Sequence, residues 1–231
     1  MATLTLYQFE LCPFCHKVKA GLDVKGVAYT KVEVNPRTKR ELPPLPADAP
    51  KKVPVVAHGD DVVYDSTRIL EWLDEAFDGP KLLPEDEAAR ARAREVEAWV
   101  DDELAMALPT VIYGTWGEAL KAAQVTAKTS NFGFLDNVGV RAGGPVVMHF
   151  VAKRILGKRN KTDGHAWMKD NLDQLEAWLD GQPFVAGDAV SLGDVAVHGA
   201  LKTVSEFPVF ASIMARPTLR AWYDRVEALR N

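Results

Sequence analysis

The order of apolar and polar positions indicates alternating strands and helices at the start of the chain. Residues 3–9 are rich in β-branched and aromatic side chains and predict a strand. Apolar residues then repeat at helical spacing from Pro13 to about Lys25, which predicts a helix. A second strand is predicted over 28–34. Because a strand, a helix and a strand fall within about 30 residues, we expect a parallel βαβ unit.

The following stretch predicts a loop, a hairpin and another helix. Residues 35–52 contain five prolines, which exclude a long helix and indicate a loop. Short strands are predicted over 53–57 and 62–64, with a tight turn between them, and a helix over 66–77. The first part of the chain is therefore predicted to have the order βαβ–ββα.

The second part of the chain shows only helical patterns. We expect a helix from Glu85 and further helices over 163–181, 191–205 and 216–230. Residues 108–160 contain helical pieces that glycines interrupt, and they are the hardest to interpret. The predicted organisation is an α/β domain over 1–78, a linker over 79–85 and an all-helical domain over 86–231.

Composition excludes several classes of protein. The 231 residues include 28 Lys and Arg against 32 Asp and Glu, a net charge of −4, which argues against a nucleic-acid-binding protein. No apolar run approaches the ~20 residues of a membrane span. The N-terminus lacks the basic and apolar regions of a signal peptide. We therefore expect no transmembrane segment and a cytoplasmic location.

The two cysteines are the main chemical feature of the sequence. Two cysteines are too few for a disulfide scaffold or a four-cysteine zinc site, and no histidines lie at the helical spacing of metal ligands, so no metal is expected. Cys12 would lie at the N-cap of the first helix with Pro13 at the first helical position. The free N–H groups at this end favour a thiolate, so Cys12 is the candidate nucleophile. Cys15, one turn later, would resolve a mixed disulfide.

Three short motifs together resemble the glutathione transferase family, especially its cysteine-type, glutaredoxin-like members. They are the CPFC motif at 12–15, Val53-Pro54, and Asp65-Ser66. The resemblance implies a glutathione transferase fold, in which a thioredoxin-like α/β domain precedes an all-α domain. It also implies glutathione as co-substrate and a homodimer.

The same resemblance implies the glutathione-binding residues. The backbone of Val53 would pair with the cysteinyl group of glutathione, and Pro54 would follow a cis peptide bond. Asp65 would pair with the ammonium group of the γ-glutamyl end, and Ser66, at a helix N-terminus, would hold its carboxylate. Phe14 and Lys52 complete the predicted glutathione site.

The resemblance extends into the second half of the chain and is weakest over 108–150. Ser191 and Asp194 resemble the capping box of a buried helix in this family. Other short stretches are similar to one branch, the soluble part of the type 2 prostaglandin E synthases; they are 7–9, 52–54, 157–159, 182–185 and 222–227. The membrane anchor of the animal members of that branch is not expected here.

These features lead to a first hypothesis and two alternatives. The first is a cysteine-type glutathione transferase or thiol–disulfide oxidoreductase acting on a small electrophilic or disulfide substrate. One alternative is a glutathione-dependent isomerase of a peroxide-type lipid. The other is a non-catalytic module that binds a ligand or a partner protein.

Two residues beside the motif allow other interpretations. His16 completes the C-x-x-C-H pattern of covalent haem attachment. Covalent haem is not expected because no export signal accompanies the motif, so we interpret His16 as a solvated residue of the first helical turn. Tyr7 is interpreted as a strand core residue and not as the group that stabilises the glutathione thiolate.

Two clusters in the second half leave both a structural and a functional interpretation open. The aromatic residues Tyr113, Trp116, Phe132 and Phe134 fit either helix packing or an apolar pocket for the second substrate. A basic cluster either forms a solvated face that complements a helix dipole or contacts anionic lipid or a partner. It consists of Lys153, Arg154, Lys158, Arg159 and Lys161.

Overall fold

The computed structural model describes residues 3–129 and 134–230, with side chains described over 3–126 and 143–230. Its first part is a small sheet covered by helices. The elements are β1 (Leu4–Gln8), α1 (Pro13–Val24), β2 (Tyr29–Glu33), β3 (Val55–His58), β4 (Asp61–Tyr64) and α2 (Ser66–Ala76). The predicted order βαβ–ββα is confirmed.

The sheet has the strand order β2-β1-β3-β4. β1 pairs with β2 in parallel, with Leu4 opposite Tyr29, and with β3 in the antiparallel direction, with Thr5 opposite Ala57. Alternate residues of β1 are buried, as expected for a strand with one face against a core. The central strand β1 thus leads directly to the N-terminus of α1.

The sequence also explains both ends of α1. Cys12 is the N-cap residue in an extended conformation, and Pro13 occupies the first helical position, where its missing N–H has no cost. Gly26 follows the helix with φ +68°, a left-handed conformation that glycine adopts without strain. The helix that carries both cysteines is therefore bounded by local signals.

The second part of the described chain consists of helices. They are α3 (Glu87–Trp99), α4 (Ala105–Ile112), α5 (Trp116–Thr129), α6 (Phe134–Lys158), α7 (Gly164–Leu179), α8 (Leu192–Lys202), α9 (Pro208–Met214) and α10 (Pro217–Ala228). A π-helical segment, Val100–Leu104, joins α3 to α4. Within residues 86–129 and 134–230, the sole β-type pairing is an isolated bridge between Phe184 and Gly187. The all-helical prediction is confirmed.

The sequence pattern did not delimit α4, α5, α6 and α9, and α6 and α9 show two reasons. α6 runs through Gly143 and Gly144 and contains Pro145, so these residues do not end it as their propensities suggest. The short helix α9 begins at Pro208, which occupies its first turn. Tertiary packing therefore overrides the local preference of the glycines.

Helix α8 lies at the centre of the molecule and packs against α1. Every residue from Leu192 to Leu201 is buried. A Cβ atom built on Gly199 would lie 2.4 Å from the backbone nitrogen and 2.5 Å from the Cα atom of Lys17. Only glycine fits at this position, so the backbones of α1 and α8 are in direct contact.

A buried carboxylate fixes the start of α8. Asp194 accepts hydrogen bonds from the backbone nitrogen of Ser191 (2.9 Å), the Ser191 hydroxyl (2.7 Å), the backbone nitrogen of Val185 (3.0 Å) and Nε1 of Trp222 (2.8 Å). Ser191 and Asp194 form a capping box. The carboxylate thereby joins α8 to α10 and to the loop before α8.

One structural finding concerns the prediction of no transmembrane segment. Among the helices of the described chain, none has the length and apolar character that crossing a bilayer requires.

Candidate active site

The two cysteines lie at the N-terminus of α1 in different environments. Cys12 is half-buried, whereas Cys15 is buried, and both are free thiols. The backbone oxygen of Cys12 accepts from the backbone nitrogens of Cys15 and His16, each at 3.1 Å. Cys12 is thus the accessible member of the pair, and Cys15 lies beneath it.

The pKa values of the two thiols are shifted in opposite directions. The Cys15 thiol donates to the sulfur of Cys12 and, with the backbone N–H groups of Cys15 and Phe14, lowers the pKa of Cys12 despite its burial. Burial raises the pKa of Cys15 well above its usual value, and the bond to Cys12 raises it further. The arrangement therefore favours a thiolate on Cys12 and a protonated thiol on Cys15.

Two adjoining cavities open beside this helix end. The first, about 280 Å³, is lined by Phe14, Pro50, Lys52, Val53, Pro54, Tyr64, Asp65, Ser66 and Asp101. The second, about 310 Å³, is lined by Phe9, Cys12, Val34, Pro36, Lys39, Leu42, Lys52 and Val53. Because both include Lys52 and Val53, they adjoin as one cleft, which we call the thiol cleft. It holds Cys12 and all six residues predicted to bind glutathione.

Two local features form the floor and one end of the thiol cleft. The Val53–Pro54 peptide bond is cis and lies just before β3. Asp65 has φ +75° and caps α2 by accepting from the backbone nitrogens of Thr67 (3.1 Å) and Arg68 (3.2 Å). Both bonds end on Oδ1, so Oδ2 remains able to accept from a ligand ammonium.

Asp101 is a cleft residue that the sequence analysis missed. It lies in the π-helical segment of the second domain and faces the same cavity as Asp65 and Ser66. Burial raises the pKa of Asp101 above its usual value. The amine of Lys17, 2.9 Å away, offsets part of this rise. No local signal in the sequence marked Asp101, because contacts between distant segments place it in the cleft.

A buried ion-pair network holds Asp101 in place. Lys17 is 1% exposed and its amine donates to Glu97, to Asp101 and to the Thr67 hydroxyl, the last at 3.4 Å. The Thr67 hydroxyl also donates to Glu97, which is 6% exposed. The network joins α1 and α2 of the first domain to α3 and the π-helical segment of the second, directly below the cleft.

The expectation for His16 is wrong. His16 is 7% exposed, and its Nε2 lies 2.8 Å from the backbone oxygen of Glu10. Burial, reinforced by the positive charge of Lys19, lowers the pKa of His16 to about 3. The first turn of α1 is covered because α8 packs across it, a tertiary contact that helix periodicity does not show.

The remaining aromatic candidates lie away from the cysteines. The side chain of Tyr113 is largely enclosed, which raises its pKa to about 12, whereas Trp116 is 52% exposed and stacks on His149 with ring centroids 4.6 Å apart. Neither lines the thiol cleft. Phe132 and the side chain of Phe134 fall outside the described residues, so the second-substrate pocket stays a prediction.

Two other expectations concern Tyr7 and metals. Tyr7 is half-buried in β1, opposite Val32 and Val55 of the neighbouring strands. Over the residues whose side chains are described, no group of three or more His, Cys, Asp or Glu could hold a metal ion.

Both domains match known sequence families. The family described as "Glutathione S-transferase, N-terminal domain" matches residues 6–81, and "Glutathione S-transferase, C-terminal domain" matches residues 164–229. Prostaglandin E synthase 2 of Mus musculus is 26% identical over 271 residues, covering 97% of this chain and 69% of that protein. A probable glutathione S-transferase of Nicotiana tabacum is 38% identical over 110 residues, about half of each chain (48% and 49%).

The fold is also similar to solved structures. The structure of glutathione S-transferase III in apo form superposes with a TM-score of 0.67, covering 98% of this chain and 92% of that chain. The sequence identity in this comparison is 22%, so it bears on the fold alone.

Proposed function

Because this chain belongs to the glutathione S-transferase family by both of its domains, we propose that it is a cysteine-type member with Cys12 as its nucleophile. Glutathione is the co-substrate and occupies the thiol cleft, held by Phe14, Lys52, Val53, Pro54, Asp65 and Ser66. The second substrate is a small disulfide or electrophile.

One observation carries this proposal. The accessible thiol whose pKa is lowered opens into the same cleft as a helix N-terminus and two carboxylates, Asp65 and Asp101. The γ-glutamyl end of glutathione matches these groups, because it carries both an ammonium and a carboxylate. Carboxylates attract the ammonium, and the N-terminus of α2, at Ser66, attracts the carboxylate.

The chemistry follows from the two different thiols. The Cys12 thiolate attacks the glutathionyl sulfur of a mixed disulfide, forms a new S–S bond to it, and expels the substrate thiol as thiolate. A second glutathione thiolate then attacks the glutathionyl sulfur, releasing oxidised glutathione and regenerating the Cys12 thiolate. Because the pKa of Cys15 is raised, attack by Cys15 on Cys12 is slow, and the route through one cysteine predominates.

A second candidate function has its own support. The relative named prostaglandin E synthase 2 matches along 97% of this chain, which favours glutathione-dependent isomerisation of a peroxide-type lipid as the alternative activity. Both activities would use the same thiol. A non-catalytic binding module would not need an accessible thiol of lowered pKa.

The first experiment measures the reactivity of Cys12. Its alkylation by iodoacetamide is followed from about pH 4 to about pH 10, with and without glutathione, by peptide mass spectrometry. We expect a midpoint below the ~8.5 of a free thiol and protection by glutathione. The buried Cys15 is the internal control and should react far more slowly. A midpoint of ~8.5 or above without protection would support the binding module.

Substitution of each cysteine then tests the assignment of the nucleophile. Cys12→Ser should abolish turnover of a glutathionyl mixed disulfide, while Cys15→Ser should keep a substantial part of it. Full turnover by Cys12→Ser would refute the nucleophile assignment. Because both activities would use the same thiol, the wild type assayed on a lipid peroxide and on the mixed disulfide distinguishes an isomerase from a thiol transferase. The cytoplasmic location and the homodimer remain part of this proposal.

A further inference from the structure

Helix α6 carries apolar side chains on two opposite faces. His149 and Ala152 are buried on one face, and Ile155 and Leu156 pack against the core. Over residues 143–158, where its side chains are described, the core therefore uses one side of the helix. The other side presents Val147 and Phe150, which are 60% and 61% exposed.

Helix α5 adds exposed apolar side chains where it meets α6 at His149. Trp116 stacks on His149, whose ring lies 6.3 Å from that of Phe150. Leu120, one turn after Trp116, is 51% exposed. Exposed apolar side chains of the two packed helices thus lie on either side of His149, and clusters of exposed apolar groups mark interaction sites on soluble domains.

Positive charges follow the apolar residues along the same face of α6. Positions 147, 150, 151, 154 and 158 lie at spacings of three and four residues, so Arg154 and Lys158 extend the line of Val147 and Phe150. Lys153 flanks this line and is also exposed. In the part of the chain that the structure describes, no carboxylate lies within ion-pair distance of Lys153, Arg154 or Lys158.

We propose that this α5–α6 surface, defined by Trp116, Leu120, Val147, Phe150, Arg154 and Lys158, docks the protein onto an anionic lipid bilayer. A helix with exposed aromatic and aliphatic groups beside unpaired basic groups suits the bilayer interface. The apolar groups enter the boundary between headgroups and acyl chains, and the cations pair with anionic headgroups. Trp116 suits the headgroup level because its ring is apolar and its N–H is polar.

Charge argues against a second copy of this chain as the occupant. Over 116–126 and 143–158, where the side chains of α5 and α6 are described, Glu118 is the one carboxylate. Its Oε2 accepts from the backbone nitrogen and the hydroxyl of Thr115, so it is engaged at the start of α5. A two-fold dimer through this surface would oppose cations with cations.

Vesicle flotation tests the proposal with the full chain. We expect binding to phosphatidylcholine vesicles that contain phosphatidylglycerol, little binding to phosphatidylcholine alone, and weaker binding at high salt. The variant Lys153→Gln/Arg154→Gln/Lys158→Gln should lower the partition coefficient about 100-fold, since each basic residue near an anionic surface contributes a factor of about five. Phe150→Ser should lower it by about tenfold.

A matched control removes three exposed cations elsewhere. Lys31→Gln/Arg40→Gln/Lys51→Gln makes the same change in net charge on the first domain and should keep most of the binding. Equal loss in both triple variants would show a non-specific charge effect and overturn the proposal. Absence of wild-type binding to anionic vesicles would do the same.

Two further measurements keep the result interpretable. Circular dichroism should show that the variants remain folded, because the substituted side chains are exposed. Light scattering should give the same mass for the wild type and for Phe150→Ser. A lower mass for Phe150→Ser would mean that the surface joins two copies of the chain, and the membrane proposal would then be wrong.

Discussion

Replacing the buried amine of Lys17 tests whether the ion-pair network below the thiol cleft stabilises the fold. Lys17→Met keeps the length of the apolar stem and removes the positive charge. It leaves Glu97 buried without its cation, and among the described residues the Thr67 hydroxyl is then its remaining side-chain donor. It also frees Asp101 from the 2.9 Å contact that positions it in the cleft.

The expected loss is large because the network is enclosed. Breaking a buried ion pair by removing one partner costs about 3–5 kcal/mol, since an uncompensated charge remains buried. We therefore expect Lys17→Met to lower the free energy of unfolding by about 3–5 kcal/mol, a large part of the ~5–15 kcal/mol of a typical domain. Urea denaturation followed by circular dichroism measures this loss.

A second substitution isolates the pair. Glu97→Met on the Lys17→Met background removes the stranded carboxylate, so the double variant should regain stability, with a coupling energy of about 2 kcal/mol or more. The control is Arg94→Met, which breaks the exposed pair between Arg94 on α3 and Glu71 on α2. Exposed pairs contribute about 0–1 kcal/mol, so little change is expected there.

Two results would refute this reasoning about the network. One is a loss below about 1 kcal/mol for Lys17→Met, equal to that of the exposed control. The other is strict additivity of Lys17→Met and Glu97→Met, which would mean that the two groups do not depend on each other.

Three other substitutions address the cleft and the second domain. Ser66→Ala should raise the KM for glutathione and leave the alkylation midpoint of Cys12 unchanged; an unchanged KM would show that the Ser66 hydroxyl does not bind glutathione and would leave the helix N-terminus as the contact. Asp101→Asn should also raise this KM, because a negative charge facing the ammonium is lost, and a wild-type KM would assign the ammonium to Asp65 alone. Asp194→Ala should destabilise the fold by about 4 kcal/mol or more, because four buried donors each lose a hydrogen bond worth about 1 kcal/mol or more. A loss of only about 0.5–2 kcal/mol, which is typical of an exposed helix cap, would contradict this.

Local signals in the sequence were sufficient to predict the strands and helices of the first domain. The alternation in β1, the helical repeat of α1 and the stop at Gly26 each depend on neighbouring residues, and the structure confirms them. The position of Cys12 at a helix N-terminus follows from the same signals, because Pro13 favours the first helical position. The motifs of the thiol cleft came instead from resemblance to a family.

Features that depend on contacts between distant segments were not predictable in the same way. Asp101 reaches the cleft because the π-helical segment and Lys17 place it there, and no local pattern encodes that position. His16 is buried because α8 covers the first turn of α1. The glycines within α6 suggest interruptions, yet the helix persists because the packing of its other residues offsets their low propensity.

The contact at Gly199 has a consequence for the independence of the two domains. The helix that bears Cys12 at its N-cap touches the backbone of the central helix of the other domain, with no side chain between them. The position of this helix thus depends on both domains, whereas in a free-standing redox domain it would depend on that domain alone. Excising the first domain would expose the side of α1 that Gly199 now covers, together with Lys17. The position of Cys12 therefore depends on the helical domain, although more than 180 residues separate Cys12 from Gly199.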